Sequence, residues 1–459
     1  MADPQGLAAD GGGDEVALLK FPYPYEAAVT VASDIDSASF DRFSAIHALF
    51  CGSEVIERGG RHWQTLGLTT DSVWYDASQG GVVGLGLDLS DSFFLIGDDA
   101  AMGMYRHDAA TDRFVEDVSD GQNACQAIKE WFKAGRIEVF HTFLRYTREH
   151  LGPLLADFYG WCEREGVAKP MVWTNHSMTN TPTGICPDAM HPYDVAMLFR
   201  HIARAMVGPM FGRKRVKVNW RQKWCQGDTP GSPYYINDLL SGNGLRYVWL
   251  NARGDALENV IALPEQTCGG RASILDVVTM DDGVKYFRFP RCYGRVNASP
   301  RALVGFRQSE SAFDASALFT EENLCQLCDR NGTCILFTHW THRRALPIQD
   351  ETIEHMQRVR RFRDEGRVWV TTLARLLEWT RIRAFLRFST HREPDRLVID
   401  LEGVDDPVVG KQTLKFGDCE GLSFRAPAGL QDVRFWVGGR PLAQNAVVRH
   451  DDVWTAQPR

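Results

Sequence analysis

The sequence predicts an α/β protein, a parallel sheet with helical crossovers, and three observations carry that reading. Stretches with apolar residues at helical spacing alternate with short β-rich runs, glycines punctuate the junctions, and the runs end in polar side chains. Such alternation indicates a parallel sheet covered by helices, open or closed into a barrel. In either arrangement function gathers at the C-terminal ends of the strands, where these polar residues stand.

Taken in order, residues 1–16 read as a flexible tail, because Gly11, Gly12 and Gly13 beside Asp14 and Glu15 offer nothing to bury. The first strand is Val29-Thr30-Val31-Ala32-Ser33, running on into Asp34-Ile35-Asp36. Residues 46–110 break the alternation and are expected as strands or loops inserted over the mouth of the barrel. Ala124, Ile128, Trp131 and Phe132 then share a helical face, Gly135 stops the helix, and Ile137-Glu138-Val139-Phe140 leads to His141. Leu154, Leu155, Phe158 and Cys162 form the next stripe, stopped at Gly166, and Met171-Val172-Trp173-Thr174 leads to Asn175 and His176. A fainter copy joins Ile236 and Leu240 to Tyr247-Val248-Trp249-Leu250. Thr320 N-caps a helix through Leu324 and Leu327, and Cys334-Ile335-Leu336-Phe337 leads to His339. Val368-Trp369-Val370 precedes a last helix with Leu373, Leu376 and Leu377. From 385 to 459, short β runs between Gly, Pro and Asp turns predict a small β-sandwich, leaving 17–382 for the barrel.

Composition narrows the function classes. With 459 residues, 44% hydrophobic, the chain is long enough for a barrel plus an appendage, and disorder of the whole chain is excluded. Its 51 Lys and Arg against 59 Asp and Glu give a net charge of −8, which argues against nucleic acid as a partner. The N-terminus shows no basic segment followed by an apolar core, and no stretch approaches the roughly 18 apolar residues of a membrane span. The expectation is a cytoplasmic protein with no integral membrane segment, whose cysteines are mostly free and buried. Cys325-x-x-Cys328 falls on a helix without a second Cys/His pair nearby, which favours free thiols over a metal site.

The most informative phrase is Asp34-Ile35-Asp36. If strand geometry persists, both carboxylates point to one face, where they repel each other unless a cation, a proton or an arginine intervenes. An isolated Asp-x-Asp also suits an Asx turn leaving the strand. Histidines at other strand ends favour the site: Asp36, His141 and His176 together form one hard and two borderline ligands, a set suited to a divalent metal with an open position for water. As a loop residue beside Asn175 and Asn180, His176 also has a purely structural reading.

The ordered set Asp34-x-Asp36, His141-Thr142, Arg288-Phe289-Pro290 and Leu336-Phe337-Thr338-His339 resembles the motifs of the NodB-type polysaccharide deacetylases, carbohydrate esterase family 4. The resemblance spans roughly residues 20–380. It implies a distorted (β/α)7 barrel and metal-dependent removal of N- or O-acyl groups from sugars. It also implies roles: Asp34 as catalytic base, Asp36 and His141 as metal ligands, Arg288 as the arginine orienting the base, and His339 as general acid. The family's second motif has another histidine four residues after the first, and here that place is Arg145, an always-charged side chain that cannot ligate a cation. His176 is the expected replacement, with His150 as the alternative. Zinc is the expected metal, with Co2+, Mn2+ or Ni2+ as alternatives, and Arg145, Asn180, Tyr293 and Trp340 are expected around the substrate. The expected partners are a sugar or glycoconjugate precursor and, in a homo-oligomer, further copies of the chain. Competing readings are a catalytically retired glycan-binding or scaffold protein, motivated by the missing histidine, and an amidohydrolase of a non-sugar amide or imide.

Overall fold

The computed structural model describes residues 16–35, 38–68, 74–97, 102–119, 122–143, 146–175, 185, 226–250, 256–294, 318–342, 347–394, 396–427 and 429–457. It is a mixed α/β structure built on one large curled sheet. Its parallel strands are β1 (Ala27–Ser33), β2 (Ser90–Gly97), β3 (Ile137–His141), β4 (Val172–Thr174), β5 (Tyr247–Trp249), β6 (Lys285–Arg288), β7 (Arg291–Tyr293), β8 (Thr333–Thr338) and β9 (Val368–Val370). The spatial order is β7-β8-β1-β2-β3-β4-β5-β6, with β9 also paired to β1.

The curl follows from that order. β6 pairs with β5 and β7 pairs with β8, so the two lie on opposite flanks of the row. Only Phe289 and Pro290 separate them in the chain, so the two flanks must come together. Pro290 has no N–H to give to a ladder, which is where the chain leaves one neighbour for the other.

Residues 90–97 correct the expectation for 46–110. They form β2, a central strand between β1 and β3, buried along its whole length. Its polar start, Ser90-Asp91-Ser92, masks the apolar run Phe93-Phe94-Leu95-Ile96 that follows. Among the other described residues there, helix α1 (Phe40–Phe50) packs on the short helix Arg61–Leu66, Val55–Glu57 pairs with Gly81–Val83, and Gly103–Asp108 pairs with β2.

Helices α2 (Ala124–Lys133) and α3 (Arg148–Glu165) cover one part of the sheet, where Phe132 and Phe158 meet Phe93, Phe158 also meets Phe140, and Trp161 packs on Phe132 and Phe158. Asn123 caps α2 by accepting from Gln126 N, and Gly166 ends α3 with φ of 65°, a left-handed conformation that glycine adopts without strain. Helices α4 (Glu321–Asp329), α5 (Asp350–Asp364) and α6 (Leu373–Phe385) cover the rest. Thr320 caps α4. The Glu138 carboxylate accepts from Ala374 N at 2.7 Å and Ser90 Oγ at 2.6 Å, so an acid on β3 occupies the positive end of α6.

Beyond α6 the chain forms two further sheets. One joins Leu386–Arg392, Leu397–Asp406, Gly410–Gln412, Val433–Val437 and Arg440–Pro441, and the other joins Ser423–Arg425, Val447–His450 and Val453–Ala456. Phe424 contacts Phe388 and Phe435 across them, so they share a core. Ala17–Leu18 pairs with Ser423–Arg425, which places the start of the described chain in this C-terminal unit. Among the described residues no helix is long and apolar enough to cross a membrane.

Candidate functional site

The C-terminal ends of β1, β3, β4 and β8 gather buried polar side chains: Asp34, His141, Thr142, Thr174, Asn175, Thr338 and His339. Burying so many polar groups is costly unless they are paired or used, which singles out this end of the sheet.

Asp34 follows the last residue of β1, a strand of seven buried residues, and is itself 1% exposed. Its backbone N–H donates to Thr338 O at 2.9 Å, extending the β1–β8 ladder by one step. Ser33 and Thr338 are register partners, so Asp34 and His339 are the next residues on adjacent parallel strands. His339 is buried, with the edge of its ring on Phe337 at 4.9 Å.

Arg291, at the start of β7, grips Asp34. Nη1 donates to Oδ1 at 3.1 Å and Nη2 to Oδ2 at 3.4 Å, with both side chains sealed from solvent. Its guanidinium carbon lies 3.5 Å from the Trp249 centroid and 3.8 Å from that of Phe337, two rings whose own centroids are 5.6 Å apart and which therefore flank it on adjacent sides. Both rings attract the cation while its N–H edge addresses a carboxylate.

This placement corrects the expectation for Arg288. Its guanidinium donates to Asp276 Oδ2 at 2.6 Å and is partly exposed, and the arginine on Asp34 is Arg291. Arg288 and Arg291 are three positions apart and so have opposite parity on an extended chain. Parity across Pro290 is the signal that distinguishes them.

His141 is the last residue of β3, 1% exposed, with its ring 4.2 Å from that of Phe94. Beside it, Asn175 joins two strand ends and a loop: its N–H donates to Trp249 O at 2.8 Å, its Nδ2 to Ile185 O at 3.2 Å, and its Oδ1 accepts from Thr142 Oγ1 at 3.4 Å. Tyr293 stands two positions after Arg291 on the same strand face, with its hydroxyl 3.4 Å from Glu258 Oε2. Trp340 differs from expectation. It is 5% exposed and packs on Phe50 at 4.7 Å, a core ring with no face open to a sugar.

Asp36, Arg145, His176 and Asn180 lie outside the described residues. Among the described residues no three His, Cys, Asp or Glu side chains group together as metal ligands. His141 is the described member of the expected ligand set, and a buried imidazole at a polar strand end is the donor type a borderline divalent cation takes. Asp34, held edge-on by Arg291, is disposed as a proton acceptor.

Behind this end of the sheet lies a pair that no motif announced. His47 of α1 is fully buried, with Nε2 2.7 Å from Asp91 Oδ2 and Nδ1 3.2 Å from Cys51 Sγ. Burial opposes charge on the imidazole, but its hydrogen bonds to Asp91 and Cys51 outweigh that and push its pKa up to about 9. Asp91 is the register partner of Ser33, the residue before Asp34. The nine described cysteines are all free thiols, among them Cys292 and Cys334 with sulfurs 3.3 Å apart. No protein-family model and no curated protein matches the chain.

Proposed function

We propose that the chain is a metal-dependent hydrolase removing an N-acyl group, N-acetyl foremost, from a sugar or glycoconjugate precursor. The observation that carries this reading is Asp34 at a central strand end, gripped by the ring-stacked Arg291 and placed one strand from His339. The NodB-like (β/α)7 barrel is part of the proposal. Its support is the segment 285–293, which pairs with β5 and then β8 and so makes, with β1 to β5 and β8, a cycle of seven parallel strands. The free cysteines suit a reducing compartment, and with it a cytoplasmic precursor as substrate.

A divalent cation, zinc first, held by Asp36, His141 and His176, would supply an acidified water and a polarised acyl carbonyl. Asp34 takes the proton of the attacking water. Arg291 keeps the carboxylate oriented, and the rings of Trp249 and Phe337 keep Arg291 in place. His339 delivers a proton to the departing nitrogen, since an amide does not expel a free amine anion. Asn175 and Thr142 fix the ends of β3 and β4 around this chemistry.

Acetate release from N-acetylchitooligosaccharides and nucleotide-linked N-acetylhexosamines tests the proposal on zinc-loaded protein. The expected result is release that a chelator stops and zinc restores. Binding of the same sugars without any release, with or without metal, would replace the enzyme by the scaffold reading.

A further inference from the structure

The His47–Asp91 pair does not touch the reacting end of Asp34, yet it stands beside the segment that carries Asp34. Asp91 is in register with Ser33, and the next residue, Ser92, accepts from Ile35 N through its Oγ at 3.1 Å. The dipeptide Asp91-Ser92 therefore brackets Asp34 from both sides along the chain. Asp91 is in turn held by His47, whose own freedom is removed by a stack: Phe43 lies on His47 at 4.2 Å and on Trp131 at 3.9 Å. The helix bearing His47 also holds the other strand end, because Arg42 Nε donates to the carbonyl of Trp340, the residue after His339, at 3.0 Å.

Stability alone does not explain such a pair, since a buried ion pair is often replaced by apolar residues of similar volume with no loss. What an ion pair adds is a fixed direction, and here the direction is toward β1 at the base. We infer that His47 and Asp91 are positioning residues for the reaction, clamping the end of β1 so that Asp34 keeps its orientation. This inference rests on Asp34 being the base.

The test is the double replacement His47→Leu with Asp91→Val, which removes both charges together and leaves neither one buried without the other. The expected result is a folded protein that still unfolds in one cooperative transition, an unchanged KM and a kcat lower by about 100-fold, the scale of a small misplacement of a reacting group. His47→Gln alone, whose amide N–H still reaches Asp91, keeps most of kcat. Amide exchange at Asp34 and Ile35 rises in the double variant while that of β3 and β8 does not. A double variant with wild-type kcat, or with unchanged exchange at Asp34 and Ile35, overturns the inference. Asp34→Asn in the same assay separates the two levels. If it is inactive while the double variant is not, the clamp alone fails; if it is fully active, the base assignment fails and the clamp with it.

Discussion

Arg291 and Arg381 are both buried arginines paired to buried aspartates, and their surroundings differ. Arg381, on α6, makes a close contact with Asp406 in the C-terminal unit, donates to Glu378 Oε1 at 2.5 Å and to Gln412 Oε1 at 3.2 Å. Asp406 also accepts from Val408 N and Val409 N at 2.9 and 2.7 Å, and Glu378 accepts from Tyr247 Oη at 2.6 Å. This is a dense polar network across the seam between the large sheet and the C-terminal sheets. Arg291 instead holds Asp34 at 3.1 and 3.4 Å while the rings of Trp249 and Phe337 flank its guanidinium. Rings steer a guanidinium without competing for its carboxylate. Identical pairing chemistry thus joins two units at the seam and, in the proposed function, orients the base at the strand ends.

The largest effect that separates the two regions is expected from Arg291→Met. It removes the partner of a buried carboxylate, costing about 3–5 kcal/mol of stability. It also frees Asp34 to turn, so turnover per folded molecule should fall by about 100-fold or more. Arg291→Lys should recover little of that, because an ammonium has neither a planar cation to lie against the rings nor a fork to meet both carboxylate oxygens. Denaturant unfolding and acetate release on the same preparations check both parts.

A smaller effect concerns pH. A histidine whose folded-state pKa is raised from 6.5 to about 9 stabilises the fold fully below 6.5 and loses that contribution as pH climbs through 9. The change should be on the order of 3 kcal/mol. The urea midpoint should drop across that window in the wild type, and the drop should shrink when both His47 and Asp91 are made apolar. An equal drop in both would locate the titration elsewhere.

Much of the fold was legible in the sequence because β1, β3, β4, β5, β8 and β9 are short apolar runs and helical stripes precede β3, β4 and β8. β2 was not, since its first three residues are polar and turn-like, and its sheet role is decided by neighbours on both sides. At the site, Asp34, His141 and His339 stand at strand ends, the positions from which they were chosen. Arg291 was missed because two arginines flank Phe289-Pro290, and a motif match cannot weigh strand parity. Trp340 was misplaced because it directly follows a mouth residue, whereas the turn after β8 sends its ring back onto α1. His47 and Asp91 are 44 positions apart and carry no local signal; only the β1–β2 register brings them behind the base.

The contrast between the two pairs is tested most directly by measuring acetate release and unfolding for Asp34→Asn and Asp406→Asn side by side. Both should lose stability, because each leaves a buried guanidinium facing a neutral partner. Only Asp34→Asn should lose turnover per folded molecule, by about 10²–10⁴-fold, while Asp406→Asn keeps it. Wild-type turnover in Asp34→Asn, or an equal loss in both, would contradict the account.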